Sequence, residues 1–409
     1  MIEKSMKGLQ TAYCNLLMLL YGSSVVMIGT LLPELIGQFS LTMSQGGFAI
    51  TLQSIGGLAT VFGGIALADR VPKSAVILGS FLVFAVLRII TGAVGTYAAL
   101  LVIFFLSGIA LRLLDTMLNA LIGDIHQKRR GFHMNILHLF FSLGAFIGPS
   151  LARQLLNLGI NWRAIYYATG LVYLMVGMPG FFFMLRNRTG ANRQRKPNRL
   201  PTEVLEGNRW TMSHIKRLEM VLLGFSLLLY SVHQSGITAW LPHYMNTELE
   251  ANVNISSYAL SIFWVGIILS RLIASKISIK IEPSTLVTVG TVVAGVYLTA
   301  SLLLTRSSGF VIVAMGFAGA ATGAVIPLSM VIAHQWHPQR TGSTTAYLTL
   351  FLLAGHLLSP GFIGLIGDAS SLTGGMLITS VSLLCCSLTS VLARKVHMTR
   401  VGRRDRSAS

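Results

Sequence analysis

Twelve apolar stretches, each about twenty residues long, follow one another along this chain, and nothing else in it restricts the fold as tightly. At a rise of 1.5 Å per residue, about twenty residues of helix cover the roughly 30 Å of a bilayer's hydrocarbon layer. The stretches fall near 11–35, 44–68, 74–95, 97–122, 132–158 and 163–185, then near 217–242, 256–278, 284–305, 308–334, 341–366 and 372–394. Composition agrees: 53% of the 409 residues are hydrophobic, 11% are charged and mean hydropathy is +0.70, against roughly 25% charged residues in soluble domains. A water-soluble core cannot hide that much apolar surface. The first apolar run is too long for a signal peptide and is followed at once by others, so the first helix is expected to stay in the membrane.

The expected class is an all-α membrane protein with twelve transmembrane helices in two pseudosymmetric six-helix bundles. The expected organisation is an N-terminal bundle over 1–186, a polar linker over 187–216 rich in Arg, Asn and Pro, a C-terminal bundle over 217–396 and a basic tail over 397–409. The net charge of +18 raises nucleic acid as a partner until the charges are placed. Of 31 basic residues, 25 fall on the side of the linker and termini, and only Arg153, Arg163 and Arg306 on the other. This asymmetry is the positive-inside pattern, which puts both termini and the linker in the cytoplasm and the spans in the plasma (cell inner) membrane. Topology accounts for the charge, and no aromatic residues interleave the tail's basic ones, so no nucleic-acid partner is expected. Cys14, Cys385 and Cys386 all lie within spans and show no metal-ligand spacing, so they read as small apolar fillers. No nucleophile elbow, phosphate loop or metal motif is present, which argues against an enzyme and against any cofactor.

An internal repeat supports the two-bundle expectation. Gly108, Arg129, Gly131, Gly144 and Pro149 each have a counterpart 211 positions later in Gly319, Arg340, Gly342, Gly355 and Pro360. The register spans the fourth and fifth stretches against the tenth and eleventh, as duplication with parallel topology produces. Most of these glycines are expected to be packing residues that let helix backbones approach.

The turn after the second span reads Leu67-Ala68-Asp69-Arg70 followed by Lys73. It is similar to the acidic-basic signature between the second and third helices of major facilitator carriers, although Ile65 and Pro72 stand where that family has glycines. The resemblance implies the major facilitator fold and a cytoplasmic latch built from Asp69, Arg70 and Lys73; a charged turn that serves topology alone is the other reading. Within the superfamily the chain most resembles the fucose:proton symporter and glucose/galactose porter branch. That likeness rests on Leu114-Asp115-Thr116 with Asn119, on Met134-Asn135-Ile136-Leu137-His138 with Gly144-Ala145, and on Tyr230 with Trp240-Leu241-Pro242-His243-Tyr244.

Ionisable groups inside spans cost about 2.5 to 3.5 kcal/mol on insertion scales, so each is a functional candidate. Arg112, Asp115 and Asn119 follow i, i+3, i+7 spacing and share one helix face. The resemblance makes Asp115 the proton carrier, with Arg112 holding it ionised in one state; a permanent structural ion pair is the alternative. His138 is expected at the depth of Asp115, about 10 Å from the cytoplasmic end of its span, as relay or hydroxyl ligand, or else satisfied by a helix carbonyl. Candidate substrate ligands are Asn119, Asn135, Tyr230, His233, Gln234, His356 and Trp240, the last as a stacking surface or an interface anchor. Arg88 and Arg271 are further basic residues within spans; Arg271 either attracts an anionic substrate or snorkels to the interface. His334 and His337 read as loop residues.

The chain departs from the sugar-porter pattern in two places. No acid lies between Met27 and Leu32 before Pro33, although Glu34 follows, and Phe141 stands where the branch has a further polar residue. The leading expectation is secondary active transport of a small polar solute, a sugar in the favoured version, by alternating access with proton coupling. The partners are then a small-molecule substrate, the proton and the lipid bilayer, and the chain acts as a monomer. Efflux of drug-like or amphipathic compounds is the alternative within transport, kept open by 17 methionines. A non-transporting membrane sensor or scaffold is the alternative from another class.

Overall fold

The computed structural model describes residues 2–186, 218–304, 307–337 and 341–408, without the side chains at 2–5, 61–70, 128, 130, 131, 181–186, 253, 275, 341–343 and 401–408. The expected linker and Arg340 therefore lie outside the described residues, as do the side chains of Asp69 and Arg70. Among the described residues every regular element is helical. The chain divides into two compact units, Met1–Pro197 and Asn198–Ser409.

The first unit holds α1 (Ile2–Phe39), α2 (Met43–Arg70), α3 (Lys73–Ala93), α4 (Tyr97–Ile125), α5 (Arg130–Asn157) and α6 (Trp162–Arg186). The second holds α7 (Leu218–Thr247), α8 (Val253–Ile277), α9 (Pro283–Leu304), α10 (Ser308–Thr322), α11 (Val325–Trp336), α12 (Thr341–Ala369) and α13 (Leu372–Ala408). Among the described residues ten helical stretches are long and apolar enough to cross a bilayer, with Ser308–Trp336 counted once across its break. Large apolar side chains such as Val102, Met175, Val296 and Leu365 stand exposed on helix flanks, as lipid-facing surface does. The structure differs from the expected spans in two places. The tenth span is interrupted at Gly323-Ala324, and the last helix runs on through the basic tail to Ala408.

Three helix pairings correspond between the units, while α7 also packs along α13 in the second unit and the corresponding α1 and α6 of the first make little contact. In the first, α1 packs along α5, α2 along α4 and α3 along α6; in the second, α7 packs along α12, α8 along α10 and α9 along α13. The glycines 211 positions apart do corresponding work. A Cβ on Gly108 would stand 1.8 Å from the Gln53 carbonyl oxygen of α2, and one on Gly319 would stand 2.1 Å from the Phe263 carbonyl oxygen of α8. Likewise Gly144 lies against the Leu19 carbonyl of α1, and Gly355 against the Leu228 carbonyl of α7. Each crossing is backbone on backbone, where dispersion and weak Cα–H···O contacts replace side-chain interdigitation. The chain also reverses through a left-handed residue after α1, Ser40 at φ 50°, and after α7, Glu250 at φ 49°.

Gly108→Ala and Gly319→Ala are therefore each expected to destabilise their own unit by about 1–3 kcal/mol, the usual cost of overpacking. Thermal unfolding of the detergent-purified protein checks this, with Gly79→Ala, where nothing lies within 4 Å, as a neutral reference. Midpoints unchanged in both variants would remove the close crossings.

Candidate functional site

On α4 the side chains that spacing placed on one face do meet. The Arg112 guanidinium donates to the Asp115 carboxylate at 3.1 Å, and the Asn119 amide donates to the other carboxylate oxygen at 2.9 Å and to the Asp115 carbonyl at 2.8 Å. The pair is neither sealed nor free in solvent, with side-chain exposures of 23% and 18%. Tyr21 of α1 lies within electrostatic reach of both charges and stacks, tilted, on Phe141 at 5.2 Å. Phe141, which stands where the resembled branch has a further polar residue, thus packs on the tyrosine beside the pair.

His138 is half-buried on α5, which touches α4 as well as α1, and its carbonyl accepts the Ser142 hydroxyl at 3.1 Å. Asn135 is exposed on the same helix. Lys73 pairs with Asp124, joining the start of α3 to the end of α4. Arg88 is buried in a cage, donating to Thr169 at 3.0 and 2.8 Å and lying over the rings of Phe84, Tyr166 and Tyr173 at 5.8, 4.8 and 5.6 Å. Cation–π contact is strongest where water is excluded, so the aromatic walls offset the desolvation of this charge.

In the second unit, α7 presents a polar face inward. His233 is fully buried and its Nδ1 lies 3.1 Å from the Thr379 carbonyl. A carbonyl only accepts, so Nδ1 carries the proton and Nε2 is a buried acceptor, which has no partner. One turn earlier the Tyr230 hydroxyl is buried close to the Thr322 side chain. Gln234 is buried beside His233. His356 of α12 bonds the Ser231 hydroxyl of α7, which also donates to the Leu352 carbonyl at 2.7 Å. Trp240 is fully buried, and its indole donates to the Pro360 carbonyl at 2.9 Å, so it ties α7 to α12 and presents no face to a membrane interface.

The interruption of the tenth span lies four residues before Pro327. Pro327 has no N–H to offer the carbonyl four residues earlier, which is that of Gly323. Arg271 of α8 supplies the donor instead, its Nε lying 3.3 Å from that oxygen, and Ser270 accepts the Ala324 N–H at 3.1 Å. Arg271 consequently turns into the unit and does not snorkel.

The profile of the Major Facilitator Superfamily matches residues 14–305 and, in a second alignment, 223–407. The chain belongs to that superfamily. As a major facilitator chain it is a multi-pass membrane protein of a transporter family, not an enzyme. A TsgA homolog of Serratia proteamaculans (strain 568) is 22% identical over 391 residues, 92% of this chain and 94% of that one. A TsgA homolog of Buchnera aphidicola subsp. Schizaphis graminum is 23% identical over 253 residues, so the match spans 60% of either chain. Among solved structures, a bacterial homolog of the human lysosomal transporter Spinster, inward-facing and unoccupied, superposes with a TM-score of 0.78 at 16% identity over 96% of this chain and 98% of that one. The nucleoside transporter NupG gives 0.75 at 12% identity over 96% and 99%. At these identities the likeness is one of fold.

Sequence reasoning missed two features of this major facilitator chain. One is the Arg271 contact at the break, signalled only by Pro327. The other is a histidine pair at the end of α4, where the rings of His126 and His133 stack at 3.4 Å. Thr11 donates to the Lys7 carbonyl at 2.8 Å, so its oxygen accepts from His126 Nε2 at 2.7 Å, which fixes the neutral tautomer. Burial, then His133 and Lys7, hold the His126 pKa below the ordinary histidine value. The unfolded chain therefore takes up this proton at higher pH than the fold does. Its stabilising contribution is whole above about pH 6.5 and drains as pH falls through the folded value. The thermal midpoint should fall between about pH 7.5 and 5, and His126→Asn should flatten that slope; an unaltered slope in the variant would show that the proton goes elsewhere.

Proposed function

We propose that this chain is a secondary active transporter of a small polar solute, a sugar in the favoured reading, worked by alternating access and coupled to protons at Asp115. The observation that carries the reading is the Asp115 carboxylate, one-fifth exposed within a membrane-spanning helix and held by Arg112 and Asn119. Loss of a proton strengthens the pair and gain of one releases it, which is what a coupling acid requires. His138 serves as the neighbouring relay.

Tyr230, His233, Gln234 and His356 provide the hydroxyl-binding surface of the second unit, and Asn119 and Asn135 are the candidate ligands of the first. A polyol carries donors and acceptors on adjacent carbons, and α7 offers an unpartnered acceptor in His233, with the Tyr230 hydroxyl one turn earlier. Trp240 acts by positioning α7. Twelve spans in two six-helix bundles, 1–186 and 217–396, place the solute near the bilayer midplane. The corresponding helix pairings and the 211-residue register support that arrangement. The linker over 187–216, the tail over 397–409 and both termini face the cytoplasm of the cell inner membrane, where Asp69, Arg70 and Lys73 form the latch of a monomeric carrier.

Uptake of a labelled sugar panel into proteoliposomes, with and without an imposed pH gradient, tests the reading. A gradient of one unit coupled one to one supports about tenfold accumulation. Asp115→Asn should reduce that to equilibration while sparing exchange; accumulation unchanged in the variant removes Asp115 from coupling. Silence across sugars together with robust dye efflux would transfer the assignment to amphipathic compounds.

A further inference from the structure

Away from the Arg112–Asp115 cluster, where α1 ends and α6 begins, a cleft of about 400 Å³ is walled by Pro33, Glu34, Gln38, Asn161, Trp162 and Arg163. It lies at the opposite end of α1 from the amino terminus, so on the topology proposed above it opens to the outside.

Two opposite charges share this cleft without neutralising each other. Among the described residues the ion pairs of the first unit are Lys73–Asp124 and Arg112–Asp115, and the half-buried Glu34 carboxylate accepts no hydrogen bond. Arg163 does not swing across to it because it is held elsewhere. Its Nη1 donates to the Gly92 and Val94 carbonyls at 3.0 and 2.6 Å, and its guanidinium lies over the Trp162 ring at 4.5 Å. Those carbonyls close the C-terminal end of α3, the negative end of a helix, where a cation is favoured. A Cβ on Gly92 would stand 2.8 Å from the Arg163 carbonyl oxygen, so α3 packs tightly on the start of α6. Trp162 is only 5% exposed and is packed in turn by the rings of Phe39 and Tyr166, each at 6.1 Å.

The guanidinium is therefore a fixed charge with one nitrogen engaged. Nε and Nη2, the edge with which an arginine grips a carboxylate at two points, make no hydrogen bond among the described residues. Asn161 is half committed, since its side-chain oxygen accepts the Ala164 N–H at 2.8 Å and leaves the amide N–H groups to donate. A separated acid and base lining one cleft match a ligand that carries both charges, whereas a singly charged ligand leaves one of them without a partner.

We infer that the cleft between the end of α1 and the start of α6 binds a small zwitterion, an amine and a carboxylate on one short chain, with Glu34 taking the ammonium and Arg163 the carboxylate. Gln38 and Asn161 supply neutral hydrogen bonds beside them. The site lies within the first unit and uses none of the residues assigned to coupling or to the sugar, so binding here and translocation can fail separately.

The test uses the full chain in detergent and the series glycine, β-alanine, 4-aminobutyrate and 5-aminovalerate, in which the two charges move apart by one methylene at a time. Butyrate and butylamine carry one charge each. Isothermal titration calorimetry should find at least one member of the series bound at least about tenfold more tightly than both singly charged compounds. Glu34→Gln should bring that member to within about threefold of butyrate, Arg163→Gln to within about threefold of butylamine, and Arg163→Lys should keep part of the preference. Arg163→Gln also removes the tie to α3 and should lower the thermal midpoint, so Glu34→Gln, which breaks no contact, carries the decision. Equal binding of zwitterions and singly charged compounds, or a preference untouched by Glu34→Gln, overturns the site. Zwitterion binding lost in Glu34→Gln while sugar accumulation persists sustains the site and leaves the transport reading in place. Zwitterion binding in a chain that accumulates no sugar sustains the site and removes the sugar from that reading.

Discussion

A peptide group in hydrocarbon has no water to bond, and leaving one unpaired costs several kcal/mol. Pro33, Pro149, Pro179, Pro242 and Pro360 each lie within an unbroken helix, depriving one carbonyl of its intrahelical donor without ending the element. At Pro327 the outcome differs because α8 is close enough to take over both ends of the interruption. That closeness depends on Gly323, where a Cβ would stand 2.6 Å from the Ile267 Cα. A proline, a glycine and the side chains of Ser270 and Arg271 therefore form one device. The proline removes a donor, the glycine admits the neighbour, and the neighbour restores the bonding.

The same constraint explains which parts of the repeat survived. Helices that cannot rely on hydrophobic expulsion associate through close backbone contact, so the crossing glycines are held to their positions by sterics in both units. Side chains at the polar positions are under no such restriction, and they have diverged. Moving 211 positions on from Arg112, Asp115 and Asn119 leads to Gly323, Ile326 and Met330. Where the first unit carries an ion pair on a continuous helix, the second carries the break. The scaffold is shared, and the chemistry is not.

Spans and the α4 cluster were legible because both are local. Hydropathy reads a helix from its own residues, and i, i+3, i+7 spacing fixes a face without reference to any neighbour. Links between helices were not legible. Nothing in the residues around Trp240 shows that its indole would be consumed by the Pro360 carbonyl, and nothing near His233 names Thr379 as its partner. The break was half-visible: Pro327 marks a freed carbonyl, but five other prolines do so without consequence, and the deciding group is an arginine on another helix. Arg88 belongs with these, because its buried charge is explained only by aromatic rings that α6 brings from Tyr166 and Tyr173.

The location of the Asp115 partners limits how a proton at that site can act. Arg112 and Asn119 ride on the same helix as the carboxylate, so protonation neither breaks nor makes a bridge between helices. It changes the charge that α4 presents to whatever faces it, and in the first unit that includes Tyr21 on α1. Lys73 and Asp124 are the reverse case, a bridge between α3 and α4 that movement of either helix would strain. A carboxylate whose partners share its helix can alter only the cost of exposing α4 to a low-dielectric surrounding, since a neutral cluster is cheaper to seal than one carrying net charge.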